Sequence, residues 1–148
     1  MMAKMPKPGD VVELNGPNGN VYLQYLGKHA EYGDGVTVCP WLHTGRLEPT
    51  AALFRDGYVA FFPVVAAVAR GLASIVGRLM PVEIPTLLRR PGVRSPNRVE
   101  TWIIEDGGIE SVKTKLSDAE RRLPIAAIWN RELLLQRVAE GWRPEMEG

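Results

Sequence analysis

Cys39, His43 and His29 are the residues of this sequence whose types could support nucleophilic or metal chemistry. Cys39 and His43 lie four positions apart, and a cysteine beside an imidazole is the arrangement of a thiol nucleophile. Structural zinc sites take four ligands, whereas the chain holds one cysteine and two histidines. Cys39 also ends an apolar run, where a free cysteine packs as a small hydrophobe. We therefore predict no catalytic residue, no metal site and no cofactor in this group.

Four carboxylates lie near the first predicted strands, and paired carboxylates can do general acid–base work. They are Asp10, Glu13, Glu31 and Asp34. Asp10 follows Pro-Gly and Asp34 lies between two glycines, which are positions that aspartate favours in turns. A role in turns is therefore the preferred interpretation. A small enzyme that uses His29, Glu31 and Asp34 is kept as the third hypothesis for the function.

The strongest local charge asymmetry is the segment LLRRPGVRSPNR, in which four arginines occur without an acid. They are Arg89, Arg90, Arg94 and Arg98. Guanidinium groups bind phosphate and carboxylate oxygens in a bidentate manner. The segment could bind a nucleic-acid backbone or an acidic protein surface. It could also be a solvated loop whose arginines pair with Glu100 or Glu105.

The stretch VYLQYLGKHAEYGDGVTV predicts an apolar strand, a polar bend, a Gly-Asp-Gly turn and a return strand. Its outer residues are predicted to face a partner and not to catalyse a reaction: His29, Glu31, Tyr32 and Asp34. Trp41 follows Pro40 at the start of a long connection and is the candidate for an exposed aromatic anchor. Trp102 and Trp129 are predicted core residues.

Short strands are the elements that must position these residues. Alternating apolar patterns between turn residues predict six or more strands, with the clearest hairpin at Asp106-Gly107-Gly108. A short helix follows Pro63, a capping box pairs Ser117 with Glu120, and Asn130 can begin a last helix. The predicted fold class is α+β: mainly antiparallel β, as a small SH3-like barrel or a strongly curved sheet, with a short internal helix and a C-terminal helical segment.

The length of 148 residues predicts a single domain over residues 1–148. Its expected parts are a flexible N-terminus (1–8), a β-rich core (9–115), a helical C-terminal segment (116–142) and a tail (143–148). Lys plus Arg total 18 and Asp plus Glu 17, a balance that disfavours a dedicated nucleic-acid binder. The longest apolar run, 58–69, is shorter than the roughly 20 residues that span a bilayer. With a single cysteine, these features predict a cytoplasmic protein without membrane contact.

Several segments together resemble the immunity protein 26 family of bacterial toxin-immunity proteins. They are KPGDVVEL, GNVYLQYLGKHAEYGDGVTV, YVAFFP and ETWII, and they cover about the first two thirds of the chain. The resemblance implies a non-enzymatic protein that binds a cognate toxin and blocks it in the producing cell. It carries over no individual functional residue.

The first hypothesis is therefore a non-enzymatic bacterial binding protein, with a toxin as its protein partner. The second is a nucleic-acid-binding module of small-barrel type that uses the arginine segment. Homodimerisation is left open, because the sequence does not show what covers the exposed edge of the sheet.

Overall fold

A computed structural model of the chain describes residues 4–45 and 47–147. The chain divides into two compact units. The first unit takes the chain up to Ile84 together with Ile128–Trp142, and the second takes Pro85–Ala127 together with the residues from Arg143 onward. Residues 1–3 of the predicted flexible N-terminus and Gly148 of the predicted tail lie outside the described part. Two compact units can still unfold in one cooperative step, so the single domain stays a prediction.

The first unit is built on a five-stranded antiparallel sheet in the order β4-β3-β2-β1-β5. The strands are β1 (Asp10–Gly16), β2 (Gly19–His29), β3 (Gly33–Val38), β4 (Tyr58–Phe61) and β5 (Ala73–Arg78). Residues 21–26 of β2 are all buried, as the apolar pattern on both of its faces predicts for a central strand. The pairing shifts between Tyr25 and Gly27, and Gly27 adopts a φ of 115° that suits a glycine.

Two helices belong to the first unit, α1 (Val64–Ala69) and α3 (Arg131–Glu140). Leu134 and Val138 of α3 are buried in the same apolar cluster as Leu14 and Leu23 of the sheet. The prediction that a C-terminal helix covers part of the sheet is therefore confirmed. None of the helices in the described part of the chain is long and apolar enough to cross a membrane.

The second unit holds a three-stranded antiparallel sheet in the order β10-β9-β6 and a two-stranded ribbon. The sheet strands are β6 (Leu87–Pro91), β9 (Trp102–Asp106) and β10 (Ile109–Lys113), and the ribbon strands are β7 (Arg94–Ser95) and β8 (Arg98–Val99). Helix α2 (Asp118–Arg121) follows. Gly107 and Gly108 close the predicted hairpin with φ values of 58° and 94°.

The α+β class with mainly antiparallel strands is thus confirmed. Within the described residues, β4 and β5 form opposite edges of the first sheet and do not pair with each other, so this sheet is not a closed barrel.

Candidate anion-binding cleft

A cleft of about 870 Å³ lies in the second unit, at the end of the sheet where β9 begins. We call it the cationic cleft, because four basic side chains line it: Arg94, Arg98, Lys115 and Arg121. Two acids also line it, Asp118 and Glu147. Trp102, the first residue of β9, forms part of the wall.

The β7–β8 ribbon carries two of these cations. Arg94 pairs with Val99 and Ser95 with Arg98 in the register of the ribbon. The ribbon is fixed at its base, where the Gly92 N–H donates to the Thr101 carbonyl at 2.7 Å. A Cβ on Gly92 would lie 2.5 Å from the Thr101 hydroxyl oxygen, so this close approach requires glycine.

Local capping positions the other two cations. Ser117 Oγ accepts a hydrogen bond from the Glu120 N–H at 3.1 Å, and Glu120 Oε1 accepts one from the Ser117 N–H at 2.9 Å. This capping box begins α2, as predicted, and its hydrogen bonds hold the pKa of Glu120 below its usual range. Lys115 lies two residues before Ser117, and Arg121 is the last residue of α2. The capping box therefore fixes the local backbone from which both basic side chains extend.

Three of the four cations form no ion pair with the residues that the structure describes. Arg98 lies 3.6 Å from a carboxylate oxygen of Glu100, and 68% of its side chain is exposed. Within the described part of the chain, no salt bridge is formed by Arg94, Lys115 or Arg121. The cleft therefore presents positive charge that an anionic group could neutralise.

Arg89 lies behind the wall of the cleft and is fully buried. Its guanidinium carbon is 4.2 Å from the centroid of the Trp102 ring, and Nη2 donates to the carbonyls of Arg121 at 3.0 Å and Pro144 at 2.6 Å. Nε and Nη1 find no hydrogen-bond partner among the described residues. Burial lowers the pKa of Arg89, and the charge of the nearby Glu147 opposes that shift. Arg89 thus supports the wall and does not line the cleft.

Arg90 is held by two carboxylates on the sheet. Its Nε donates to Glu105, and its Nη2 donates to Glu110 at 2.8 Å. The hydrogen bond to Glu110 raises the pKa of Arg90 above its ordinary value, and the hydrogen bond to Glu105 adds a smaller effect in the same direction. The structure therefore brings Arg94 and Arg98 together at the cleft, whereas Arg89 and Arg90 lie in β6 with partners of their own.

Lys115 and Arg121 are cleft residues that the sequence analysis missed. They lie 17 and 23 positions beyond Arg98 and carry no motif of their own. The capping box between them fixes the local chain direction, but it does not indicate which other segments meet there.

His29 is the last residue of β2, and Glu31 and Tyr32 lie in the β2–β3 turn of the first unit. His29 Nδ1 accepts hydrogen bonds from the N–H groups of Glu31 at 3.1 Å and Tyr32 at 3.4 Å. The His29 ring also packs against Tyr32 and Phe61, with centroids 5.1 and 5.6 Å apart. These contacts shape the turn, while the Glu31 side chain is exposed.

Asp34 is buried and holds two elements together. Its Oδ1 accepts from the Tyr25 hydroxyl at 3.3 Å, and its Oδ2 accepts from the Val65 N–H in the first turn of α1 at 3.0 Å. Burial and the Asp34 carboxylate raise the pKa of Tyr25 to about 12. Asp34 pairs with Lys28 inside β3, so the prediction that it lies in a turn and faces outward is wrong: the turn falls at residues 30–32, and the Asp34 side chain has a structural role.

The other acids have separate partners. Asp10 accepts from the Lys7 N–H and from Arg78, and Glu13 accepts from the Tyr22 hydroxyl at 2.7 Å. In the described residues, no group of three or more His, Cys, Asp or Glu side chains could hold a metal ion.

Cys39 Sγ and His43 Nε2 are 3.5 Å apart, so the spacing does bring the two side chains together. Cys39 is fully buried, and burial raises the pKa of its thiol. A nucleophilic cysteine needs the opposite shift. The pair is therefore a contact within hydrogen-bond distance between a buried thiol and an imidazole. Trp41, two residues after Cys39, is 52% exposed.

No protein-family model, curated protein or solved structure matches the chain. The resemblance to immunity protein 26 thus rests on the sequence segments alone. Residues of those segments have structural roles here: Gly9 has a φ of 98°, and Asp10 fixes the start of β1 through Lys7 and Arg78. Gly9 and Asp10 do not line the cationic cleft, whereas Trp102 of the ETWII segment does.

Proposed function

We propose that this chain is a non-enzymatic binding protein of the bacterial immunity type, which neutralises a cognate toxin by binding it. The cationic cleft is the surface that contacts an acidic region of the toxin. The single observation that carries this proposal is a set of three cleft cations that form no salt bridge with any described residue, Arg94, Lys115 and Arg121. Positive and negative surfaces that meet across an interface increase both association rate and specificity.

The test uses the product of the gene immediately upstream as the candidate toxin. Its activity is measured with increasing amounts of the wild-type chain and of the variant Arg94→Glu/Arg98→Glu. We expect the wild type to inhibit and the variant to bind at least about tenfold more weakly, because reversed charges meet like charges in the complex.

The matched control is Lys4→Glu/Arg55→Glu, which makes the same charge change at exposed positions of the first unit. It should inhibit as the wild type does. Equal inhibition by the cleft variant and the control would show that the cleft is not the contact surface. If the upstream product is not inhibited by the wild type, the immunity assignment is wrong.

A nucleic-acid-binding module is the second candidate, and the same cations favour it. In this reading the first unit is a partly open SH3-like barrel. Its strand order supports that form, because β5 returns to pair beside β1 and register shifts occur at Val11/Val12 and at Tyr25/Gly27. Such bulges bend strands and help a small sheet to curl.

The salt dependence of binding distinguishes this candidate. With four cations in the cleft, the slope of log affinity against log salt for duplex DNA should be no steeper than about −4. Fluorescence anisotropy with labelled duplex DNA and single-stranded RNA measures it. Absence of binding to both probes at about 50 mM salt would exclude this function.

A further inference from the structure

The two edges of the second unit's sheet are protected differently. The β6 edge is covered, because the Arg89 N–H donates to the Pro124 carbonyl at 3.0 Å and the Ala126 N–H donates to the Arg89 carbonyl at 2.8 Å. On the opposite edge, β10 has β9 as its only neighbouring strand in the described part of the chain. Its outward-facing backbone groups are thus available to another strand.

Proteins commonly protect such an edge with charged side chains. In β10 those charges are already engaged: Glu110 accepts from Arg90 at 2.8 Å, and Lys113 lies 3.9 Å from a carboxylate oxygen of Glu120. The remaining large side chains are apolar and exposed, Ile109 at 77% and Val112 at 66%. The edge therefore lacks free charge and offers apolar surface on both faces.

The cationic cleft lies where this edge ends. Strand β10 runs from Lys113 directly into residues 114–116, which line the cleft. An extended segment that pairs with β10 and continues past Lys113 would reach Lys115, with Arg94 and Arg98 on the ribbon that lines the same cleft. Acidic side chains at that end of the segment would complement these charges.

We propose that β10 is a docking edge, which takes an extended segment of the protein partner as an additional strand, with acidic residues of that segment in the cationic cleft. Main-chain hydrogen bonds supply affinity in this mode, and flanking side-chain sites supply specificity. This inference rests on the proposed function, since it specifies how the partner meets the cleft.

The two-fold pairing with a second copy that overlaps all five residues of β10 fits the edge poorly. In a two-fold antiparallel pairing centred on Ser111, Ile109 would face Lys113 and Glu110 would face Val112. Each apolar side chain would then oppose a charged one, so cross-strand packing would be unfavourable. A partner segment can instead place apolar residues opposite Ile109 and Val112.

Val112 gives a variant that tests the edge alone. In a hairpin with a two-residue turn, the two residues that flank the turn form a hydrogen-bonded pair, and here these are Asp106 and Ile109. Along the two strands, pairs that exchange backbone hydrogen bonds then alternate with pairs that do not. Val112, three residues on, therefore directs its N–H and C=O away from β9. Val112→Pro removes that outward N–H, and proline is tolerated in edge strands. Val112→Thr is the matched control, because it keeps both the N–H and the β-branched side chain.

The probes are two fluorescein-labelled peptides, Glu-Asp-Glu-Thr-Val-Thr-Val-Thr and its reverse sequence. The first peptide places its acids at the cleft when it pairs antiparallel to β10. The reverse sequence places them there when it pairs parallel to β10. We expect one of them to bind the wild type and Val112→Thr alike, and to bind Val112→Pro at least about tenfold more weakly in fluorescence anisotropy. A version with lysines in place of the acids should bind more weakly than the acidic one.

Three results would overturn the inference. In the first, Val112→Pro and Val112→Thr bind the peptide equally, and only Arg94→Glu/Arg98→Glu loses binding. The cleft would then remain a contact surface, but β10 would not be a docking edge. The second is no binding of either acidic peptide at about 1 mM. The third is a concentration-dependent dimer, by light scattering, that Val112→Pro abolishes, since a second copy would then occupy the edge. Failure of the proposed function is seen separately, in the toxin assay. Circular dichroism melting curves verify that each variant is folded.

Discussion

Arg89 is a charged residue in a fully buried position, and its environment is only partly polar. One face of its guanidinium lies on Trp102 at 4.2 Å, and Nη2 satisfies two backbone carbonyls. Two of its nitrogens lack hydrogen-bond partners in the described residues. Packing therefore accounts for much of its contribution to stability, as it does for other buried long side chains.

We predict that Arg89→Ala lowers the free energy of unfolding by about 2–4 kcal/mol, because it leaves a cavity against Trp102. Arg89→Met should cost at least about 1 kcal/mol less, since its side chain refills most of that volume without a buried charge. Urea unfolding followed by tryptophan fluorescence measures both. If the two variants lose equal stability, the hydrogen bonds to Arg121 and Pro144 matter more than packing.

Tyr25 should make the stability of the chain sensitive to alkaline pH. Its pKa is raised to about 12 in the folded chain, from an ordinary value of 10.0. The unfolded chain therefore releases the phenol proton first, and deprotonation favours unfolding. We predict that the free energy of unfolding falls as the pH rises from about 10 to about 12.

Tyr25→Phe isolates this effect from other titrating groups. The variant loses the hydrogen bond to Asp34, so it should be about 1 kcal/mol less stable at pH 7. Above pH 10 its stability should fall less steeply than that of the wild type. Urea unfolding at a series of pH values gives both curves, and parallel curves would contradict the predicted role of Tyr25.

Helix α3 depends on its two ends. Asn130 Oδ1 accepts from the Leu133 N–H at 2.8 Å, and Gly141 ends the helix with a φ of 70°. We predict that Asn130→Ala lowers the free energy of unfolding by about 1 kcal/mol, because a first-turn N–H loses its acceptor. Asn97→Ala, at an exposed position in the ribbon turn, is the control and should change it by less than about 0.5 kcal/mol in the same urea experiment. Equal effects would mean that the cap is not stabilising.

Elements that depend on neighbouring residues could be predicted from the sequence. Asp106-Gly107-Gly108 contains the glycines that the hairpin turn needs, and Ser117 with Glu120 has the spacing of a capping box. The ribbon at Arg94–Val99 was not predicted, because prolines and arginines hide so short a pairing. Lys115 was missed for another reason: it reaches the cleft through long-range folding, which local patterns do not encode.

The distribution of buried side chains differs between the two compact units. All members of the two apolar clusters of the described chain, from Val11 to Val138, belong to the first unit. The second unit buries few side chains, and the largest fully buried one is the charged Arg89. Since apolar burial is the main source of stability, the first unit should be the more stable.

Native-state hydrogen exchange in low concentrations of urea tests this expectation. We predict that amides of β2, which is paired on both sides and buried throughout, exchange only through global unfolding. Amides of β9 should exchange with a free energy of opening at least about 2 kcal/mol lower, because the second unit can open while the first stays folded.

The urea dependence decides between local and global opening. If β9 amides show a smaller slope with urea than β2 amides, the second unit opens alone, since the slope scales with the surface exposed. Equal free energies and equal slopes would instead support one cooperative domain over residues 1–148. If the second unit opens independently, a partner that binds its cleft would also stabilise the closed form of that unit. Binding of the acidic peptide should therefore slow exchange in β9 and β10, and it should raise the free energy of global unfolding reported by β2 by the same increment, because both openings release the peptide.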